Sequence, residues 1–217
     1  MRQKRLAVLV LAIAFALVCA GCEKTQTWAF DFTTAENVDG WNPEDIGEGS
    51  IELVPGKGLH LYRYSVCSPV AFTGDFTVTV DFSLDTITDS YAYFELYLAD
   101  GIYWEPENMI YCGFSNVGAE DADETWWVSD EGAGGTENPI VSMPPGPVPY
   151  LDRNGTNTWQ LVKTGDWYEI KLNGKRMTKF GSSYCRGDKY YVSLYAESDY
   201  GDVYFRNVKV DYKGSTI

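Results

Sequence analysis

The stretch Phe76-Thr77-Val78-Thr79-Val80-Asp81-Phe82 decides how this chain folds. Apolar and polar residues alternate through it without a break. An extended strand therefore carries Phe, Val, Val and Phe on one face and Thr, Thr and Asp on the other. A helix would scatter both rows around its circumference. The alternation also specifies the register, because a slip of one residue would bury Asp81 among aliphatic side chains at a cost of several kcal/mol.

The same period recurs outward from this strand. Trp28, Phe30 and Phe32 keep it, as do Leu59 and Leu61, and then Ala92, Phe94, Leu96 and Leu98. Ile110, Cys112 and Phe114 follow, then Trp159 and Leu161, Tyr168 with Ile170 and Leu172, Val192 with Leu194 and Ala196, and Val203 with Phe205. Between Glu169-Ile170-Lys171-Leu172 and Lys175-Arg176-Met177 stands Asn173-Gly174, a pair that readily takes the positive φ values of a tight hairpin. About ten short strands separated by turn signals predict an all-β fold, an antiparallel sandwich or barrel in one domain. No internal repeat is visible.

Residues 115–158 interrupt the pattern. They hold five of the nine prolines, and eight acids against one base, Arg153. A connection of this length is usually functional or disordered, but the adjacent Trp126 and Trp127 are costly to leave in water. The segment reads as an insertion of loops around one short strand, capping one face. Within it Glu120-Asp121-Ala122-Asp123-Glu124 offers oxygens to calcium, with Asp121 and Asp123 as the candidates. The run lacks the spacing of a defined calcium loop, and a solvated loop is the favoured reading.

The chain has 217 residues, 33 of them aromatic counting Trp, Tyr and Phe, and a formal charge of −14. So acidic a body repels phosphate backbones, which excludes nucleic acid as a partner. The N-terminus is different. Met1-Arg2-Gln3-Lys4-Arg5 is basic, Leu6 to Val18 is an unbroken apolar run, and Ala20-Gly21-Cys22 follows. The run is too short to span a bilayer and suits a secretory signal. Cysteine after a small pair at this point resembles the bacterial lipoprotein signal, although Cys19 stands where that signal usually has Leu. The resemblance implies residues 1–21 as signal peptide, Cys22 as the lipidated N-terminus, 22–27 as tether and 28–214 as the folded domain. An ordinary cleaved signal is the alternative.

Three cysteines remain in the domain, Cys67, Cys112 and Cys185, and allow at most one disulfide. With no CxxC and a single histidine, His60, a His/Cys zinc site is close to excluded, and His60 reads as a surface residue.

The segments Asn157-Thr158-Trp159-Gln160-Leu161-Val162-Lys163 and Trp167-Tyr168-Glu169-Ile170-Lys171-Leu172-Asn173-Gly174-Lys175 resemble a signature of concanavalin A-like (LamG-like) lectin/glucanase jelly rolls. Asp39-Gly40-Trp41 near the start and Val203-Tyr204-Phe205-Arg206-Asn207-Val208 near the end look like the 3-keto-disaccharide hydrolase-like branch. The resemblance implies two antiparallel sheets with a concave face that often holds carbohydrate. Glucanases of this superfamily carry Glu-x-Asp-x-Glu or a near variant on one strand. The only comparable run here, Glu197-Ser198-Asp199-Tyr200-Gly201-Asp202, has the wrong third acid and reads as a turn before the last strand.

Parity points to a different feature. If Phe94, Leu96 and Leu98 face the core, Tyr91, Tyr93, Glu95 and Tyr97 face away together, as do Tyr111 and the pair Tyr191 and Tyr195. Tyrosine rings stack on sugar C–H faces and their phenols bond hydroxyls. Candidate glycan-binding residues are thus Tyr93, Glu95, Tyr111 and Tyr195, with Trp104, Trp126 and Trp127 at the rim. The other reading, which the commonness of tyrosine in exported β-sandwiches favours, makes the rings a second core layer beneath the insertion. The sequence reading is a lipid-anchored, exported cell-envelope protein that binds a glycan without catalysis. The first alternative is a glycoside hydrolase or lyase using Glu95 and a second carboxylate of the groove, the two roughly 5–9 Å apart. The second is a structural envelope protein that binds other proteins.

Overall fold

The computed structural model describes residues 24–85, 92–102, 108–117, 124–142, 146–187, 189–198 and 203–217. The signal-like segment, Cys22, Tyr91, Trp104, Asp121 and Asp123 lie outside them. Every regular element described is a strand, paired antiparallel. In chain order they are β1 (Gln26–Asp31), β2 (Asn42–Val54), β3 (Gly58–Cys67), β4 (Phe72–Thr73), β5 (Phe76–Leu84), β6 (Ala92–Ala99) and β7 (Met109–Ser115). They continue as β8 (Thr125–Gly132), β9 (Thr136–Ser142), β10 (Thr156–Thr164), β11 (Trp167–Leu172), β12 (Lys175–Gly181), β13 (Lys189–Ser198) and β14 (Val203–Tyr212).

The hydrogen-bonded path runs β12-β11-β10-β5-β14-β3-β13-β6-β7-β8-β9 and folds over on itself into two layers. On β5, Phe76, Val78, Val80 and Phe82 are buried while Thr77, Thr79 and Asp81 are half-buried, as the alternation demands. Asp81 is satisfied at the surface by the Thr158 hydroxyl at 2.8 Å. Rings of one layer pack on rings of the other. Trp159 of β10 lies 4.7 Å from Phe114 of β7, and Phe82 of β5 lies 5.1 Å from Phe94 of β6. Asn173 and Gly174 have φ values of 49° and 73°, the hairpin geometry their sequence predicts.

The fold turns from one layer to the other at β3. Its first half meets β14 through only Leu59 and His60, and its second half meets β13 through Tyr64 to Cys67. Between them Arg63 takes a φ of 47°, uncommon for a residue with a Cβ. The register of β2 against β3 shifts at the same place, and Gly49 packs there so tightly that a Cβ would come 2.4 Å from the Arg63 carbonyl oxygen.

The 115–158 segment departs from expectation. It contains two strands, β8 and β9, which form a hairpin and extend the sheet beyond β7. Eight acids and five prolines masked them, because Pro139 sits inside β9 at the sheet edge, where a missing N–H is tolerated. Two buried acids organise the surroundings. Asp130 of β8, fully buried, accepts from the Ser182 hydroxyl at 2.7 Å and the Ser183 N–H, joining this layer to the loop after β12. Glu124 accepts from Arg153 and from the Val148 N–H at 2.6 Å. Cys67, Cys112 and Cys185 are all buried free thiols.

Candidate functional site

Three rows of side chains cross the outer face of the β13-β6-β7-β8 layer. The central row is Tyr195, Glu95, Gly113 and Trp127, each opposite the next on adjacent strands. Beside it run Ser193, Tyr97, Tyr111 and Ser129, and on the other side Glu197 stands opposite Tyr93. Together with Met109 and Glu131, the Tyr and Glu side chains of these rows line a cavity of about 270 Å³. That is just below the roughly 300–1,000 Å³ of sites that engulf a drug-sized ligand, so the cavity suits one ring more than a long chain.

Glu95 is at its centre and only 2% exposed. One carboxylate oxygen accepts the Tyr93 hydroxyl at 2.7 Å and the other accepts the Tyr97 hydroxyl. The Trp127 indole lies beside it and adds to the lowering influence of the two phenols. Gly113 makes this possible: a Cβ there would lie 2.3 Å from a ring carbon of Trp127 and 2.8 Å from Cγ of Glu95. The missing side chain leaves the space in which the indole crosses the strand. Its ring then packs against Tyr93 at 5.1 Å, and Tyr93 meets Tyr195 edge-on at 5.8 Å. Tyr97 and Tyr111 stack at 5.7 Å.

The remaining carboxylates edge the cavity. Glu197 accepts the Tyr195 hydroxyl at 3.0 Å and pairs with Arg63, the residue at the bend of β3. Glu137 of β9 accepts both the Tyr111 hydroxyl at 2.9 Å and the Ser129 hydroxyl at 2.7 Å, and these bonds hold its carboxyl below the ordinary range. Burial raises the pKa of Glu131, and the charge of Glu137 adds to the shift. For Glu95 burial is the largest influence and lifts the pKa, although the three donors pull the other way. Burial pushes the Tyr111 phenol up to about 12 and the other three phenols higher still. All four are therefore protonated donors at neutral pH.

The raised Glu95 has a stability consequence with a definite sign. Its folded pKa lies above the ordinary 4.5, so the folded chain holds more protons than the unfolded one just above that pH. The stability that Glu95 contributes is complete below about pH 4.5 and declines as pH rises through the folded value. Glu95→Gln removes this slope. In urea denaturation between pH 4.5 and 7 the variant gains on the parent as pH rises, whereas parallel profiles would show that Glu95 titrates as in an unfolded chain.

Of the residues singled out from the sequence, the structure brings Tyr93, Glu95, Tyr111, Tyr195 and Trp127 onto this face. Trp126 does not join them. It stands opposite Phe114 and points into the core, 6% exposed, because neighbours on a strand face opposite ways. Tyr191 faces outward but is buried in a side cluster with Cys67 and Ala71. His60 lies half-buried against the Tyr204 ring. Of the turn expected at 197–202, Glu197 and Ser198 instead belong to β13, which carries Glu197 into the site, and 199–202 lie outside the described residues. The parity of Glu197 with Tyr195 was the available signal. Tyr97 and Glu131 carry the same kind of signal, by parity with Glu95 and Trp127, and Gly113 is marked by being a glycine inside a strand. Among the described residues no group of three or more His, Cys, Asp or Glu could hold a metal ion.

No protein-family model and no characterised protein sequence matches the chain. Similar solved structures include the carbohydrate recognition domain of Emp47p, at 11% identity and a TM-score of 0.62, covering 85% of this chain and 95% of that one. The carbohydrate-binding module CBM66 from Bacillus subtilis gives 14% and 0.52, with coverages of 78% and 94%. Endo-β-1,3-glucanase from Pyrococcus furiosus gives 13% and 0.55, with coverages of 88% and 94%. Identities this low speak for the fold, and the fold is the antiparallel jelly-roll sandwich of lectin and glucanase domains.

Proposed function

We propose that this protein binds a glycan without transforming it, at the cell envelope, held there by a lipid on Cys22. The observation that carries the binding reading is the cavity itself: a tyrosine-walled depression on the outer face of one sheet, of a size for a sugar ring. The similarity to the carbohydrate recognition domain of Emp47p and the carbohydrate-binding module CBM66 agrees with it. The non-catalytic part rests on Glu95, whose two oxygens are each occupied by a phenol and which is almost closed to solvent. A carboxylate so enclosed is poorly placed to attack an anomeric carbon or reach a glycosidic oxygen.

A second reading, glycoside hydrolysis or transfer, is favoured by the raised pKa of Glu95 and by Glu197 on the same face. Its members among similar structures include the Crh5 transglycosylase. The sequence edges at Asp39-Gly40-Trp41 and Val203–Val208 support the 3-keto-disaccharide hydrolase-like branch as the family to test.

A glycan-array screen followed by calorimetry tests the main reading. Tyr93→Ala weakens binding by about 1–3 kcal/mol, the scale of losing a packed ring. Glu95→Gln retains most of the affinity, since the amide still accepts. Turnover of labelled oligosaccharide by the parent that falls by orders of magnitude in Glu95→Gln would replace binding with catalysis. For the anchor, mass spectrometry of the mature N-terminus shows an acylated Cys22. A free amine on any other residue would remove the lipoprotein assignment.

A further inference from the structure

The O–H groups of the cavity's phenols are already committed to carboxylates. Tyr93 and Tyr97 donate to Glu95, Tyr195 donates to Glu197 and Tyr111 donates to Glu137. A phenol carries a single O–H, so in this arrangement none of the four has one left for a ligand. Trp127 packs behind Tyr93 and is not among the residues that line the cavity. Of the other lining residues, Met109 has no donor and ionised Glu131 only accepts. Among the described residues, no Lys, Arg or His lines the cavity. Arg63 stands by Glu197 and is engaged by it.

The cavity thus offers a ligand lone pairs and ring faces, and almost no protons. A neutral sugar hydroxyl is matched by half in such a place, because it can donate but its own oxygen finds no donor. A uronate or sulfate is worse, setting an anion against Glu95, Glu131 and Glu197. A primary ammonium is matched fully: it has three donors, no acceptor, and a positive charge. Glu131 makes no hydrogen bond or ion pair among the described residues, so its carboxylate is available to such a group. The stacked rings of Tyr97 and Tyr111 add their electron-rich faces.

We propose that the ligand of this cavity is a saccharide bearing a free, protonated amine, an amino-sugar unit whose ammonium is received by Glu131 and the neighbouring tyrosine faces. This rests on the reading that the cavity is the glycan site, and it adds the chemical class. N-acetylation of the same sugar abolishes recognition at this point, since it removes the charge, leaves one N–H of three and introduces a carbonyl that the cavity cannot answer.

The test uses the full chain purified in detergent and oligosaccharides of one length and linkage, in gluco and galacto series. Each is supplied with free amines, with N-acetylated amines and with hydroxyls in their place. By calorimetry the amine form binds about tenfold or more tighter than the other two, a difference of roughly 1.4 kcal/mol. Glu131→Gln narrows that ratio to under about threefold, while Glu52→Gln, an exposed change on β2 outside the site, leaves it as in the parent. A thermal melt of each variant confirms that it is folded. Equal binding of amine and hydroxyl forms overturns this inference and leaves the glycan reading standing. An equal loss in Glu52→Gln also overturns it, since the preference would then come from the overall negative charge. No binding of any oligosaccharide removes both.

Discussion

Replacing Trp159 by alanine lowers the stability of the protein by about 3–5 kcal/mol, the range for deleting a large buried aromatic. Trp159 is fully buried in β10, and its ring lies at 4.7 Å from Phe114, 5.9 Å from Phe94 and 6.2 Å from Phe82. Those three rings belong to strands on both sides of the sandwich, so the indole is where the layers are held in register. Its neighbours are themselves fixed by backbone pairing, which limits how far they collapse into the space left behind. The indole N–H has no hydrogen-bond partner, and a buried donor left unsatisfied is itself unfavourable by about 1–3 kcal/mol. Trp159→Phe removes that donor while keeping a ring, and costs less than half of the alanine loss. Equilibrium urea unfolding with an unchanged m-value checks both. An alanine variant within about 1 kcal/mol of the parent would show that the two layers do not depend on this contact.

Much of this core was legible because strand parity is a local property. Phe76 to Phe82 sorted its residues correctly from seven letters, and Trp159, Leu161, Ile170 and Leu172 followed by the same rule. Parity fails where a face is not purely apolar or purely polar. In β8, Trp-Trp-Val-Ser-Asp puts Trp126, Val128 and the buried Asp130 inward and Trp127 and Ser129 outward. An acid on the inner face breaks the alternation, and only its bonds to Ser182 and Ser183, residues more than fifty positions away, explain it. The adjacent tryptophans could not be told apart without the pairing of Phe114 with Trp126.

The site was half legible for a related reason. Shared outward parity collected Tyr93, Glu95, Tyr111 and Tyr195, but which strands lie side by side is a property of topology. β6 is neighbour to both β7 and β13, and β13 comes from a point in the chain about a hundred residues further on. Glu197 was missed because an acidic run before a predicted strand reads as a solvated turn, and the length of β13 decides otherwise. Neither could the sequence show that the phenols are committed to carboxylates. That fact shifts the site from a general sugar-stacking surface toward one that accepts protons and offers few.

Gly113→Ala tests whether this construction is as tight as it looks. The new methyl would sit 2.3 Å from Cζ2 and 2.7 Å from Cε2 of Trp127, and 2.8 Å from Cγ of Glu95. These atoms cannot all retreat. Glu95 is held by the two phenols, and Gly113 is held in the middle of the sheet by β6 and β8. The indole must therefore leave its place across the strand, losing its contact with Tyr93 and its place beside Glu95. Overpacking of this kind costs about 1–3 kcal/mol. Ligand affinity falls at the same time, by about tenfold or more if the displaced ring accounts for at least 1.4 kcal/mol of binding. The clash and the ring are one event, which a double substitution isolates. Trp127→Ala alone loses the ring, and Gly113→Ala on that background keeps only Cγ of Glu95, at 2.8 Å, of the three atoms nearest the new methyl. The two losses of stability then sum to clearly more than the loss measured in the double variant, with a coupling of about 1 kcal/mol or larger. Simple additivity would mean that Trp127 does not occupy the space above Gly113, and the network around Glu95 would have to be drawn without it.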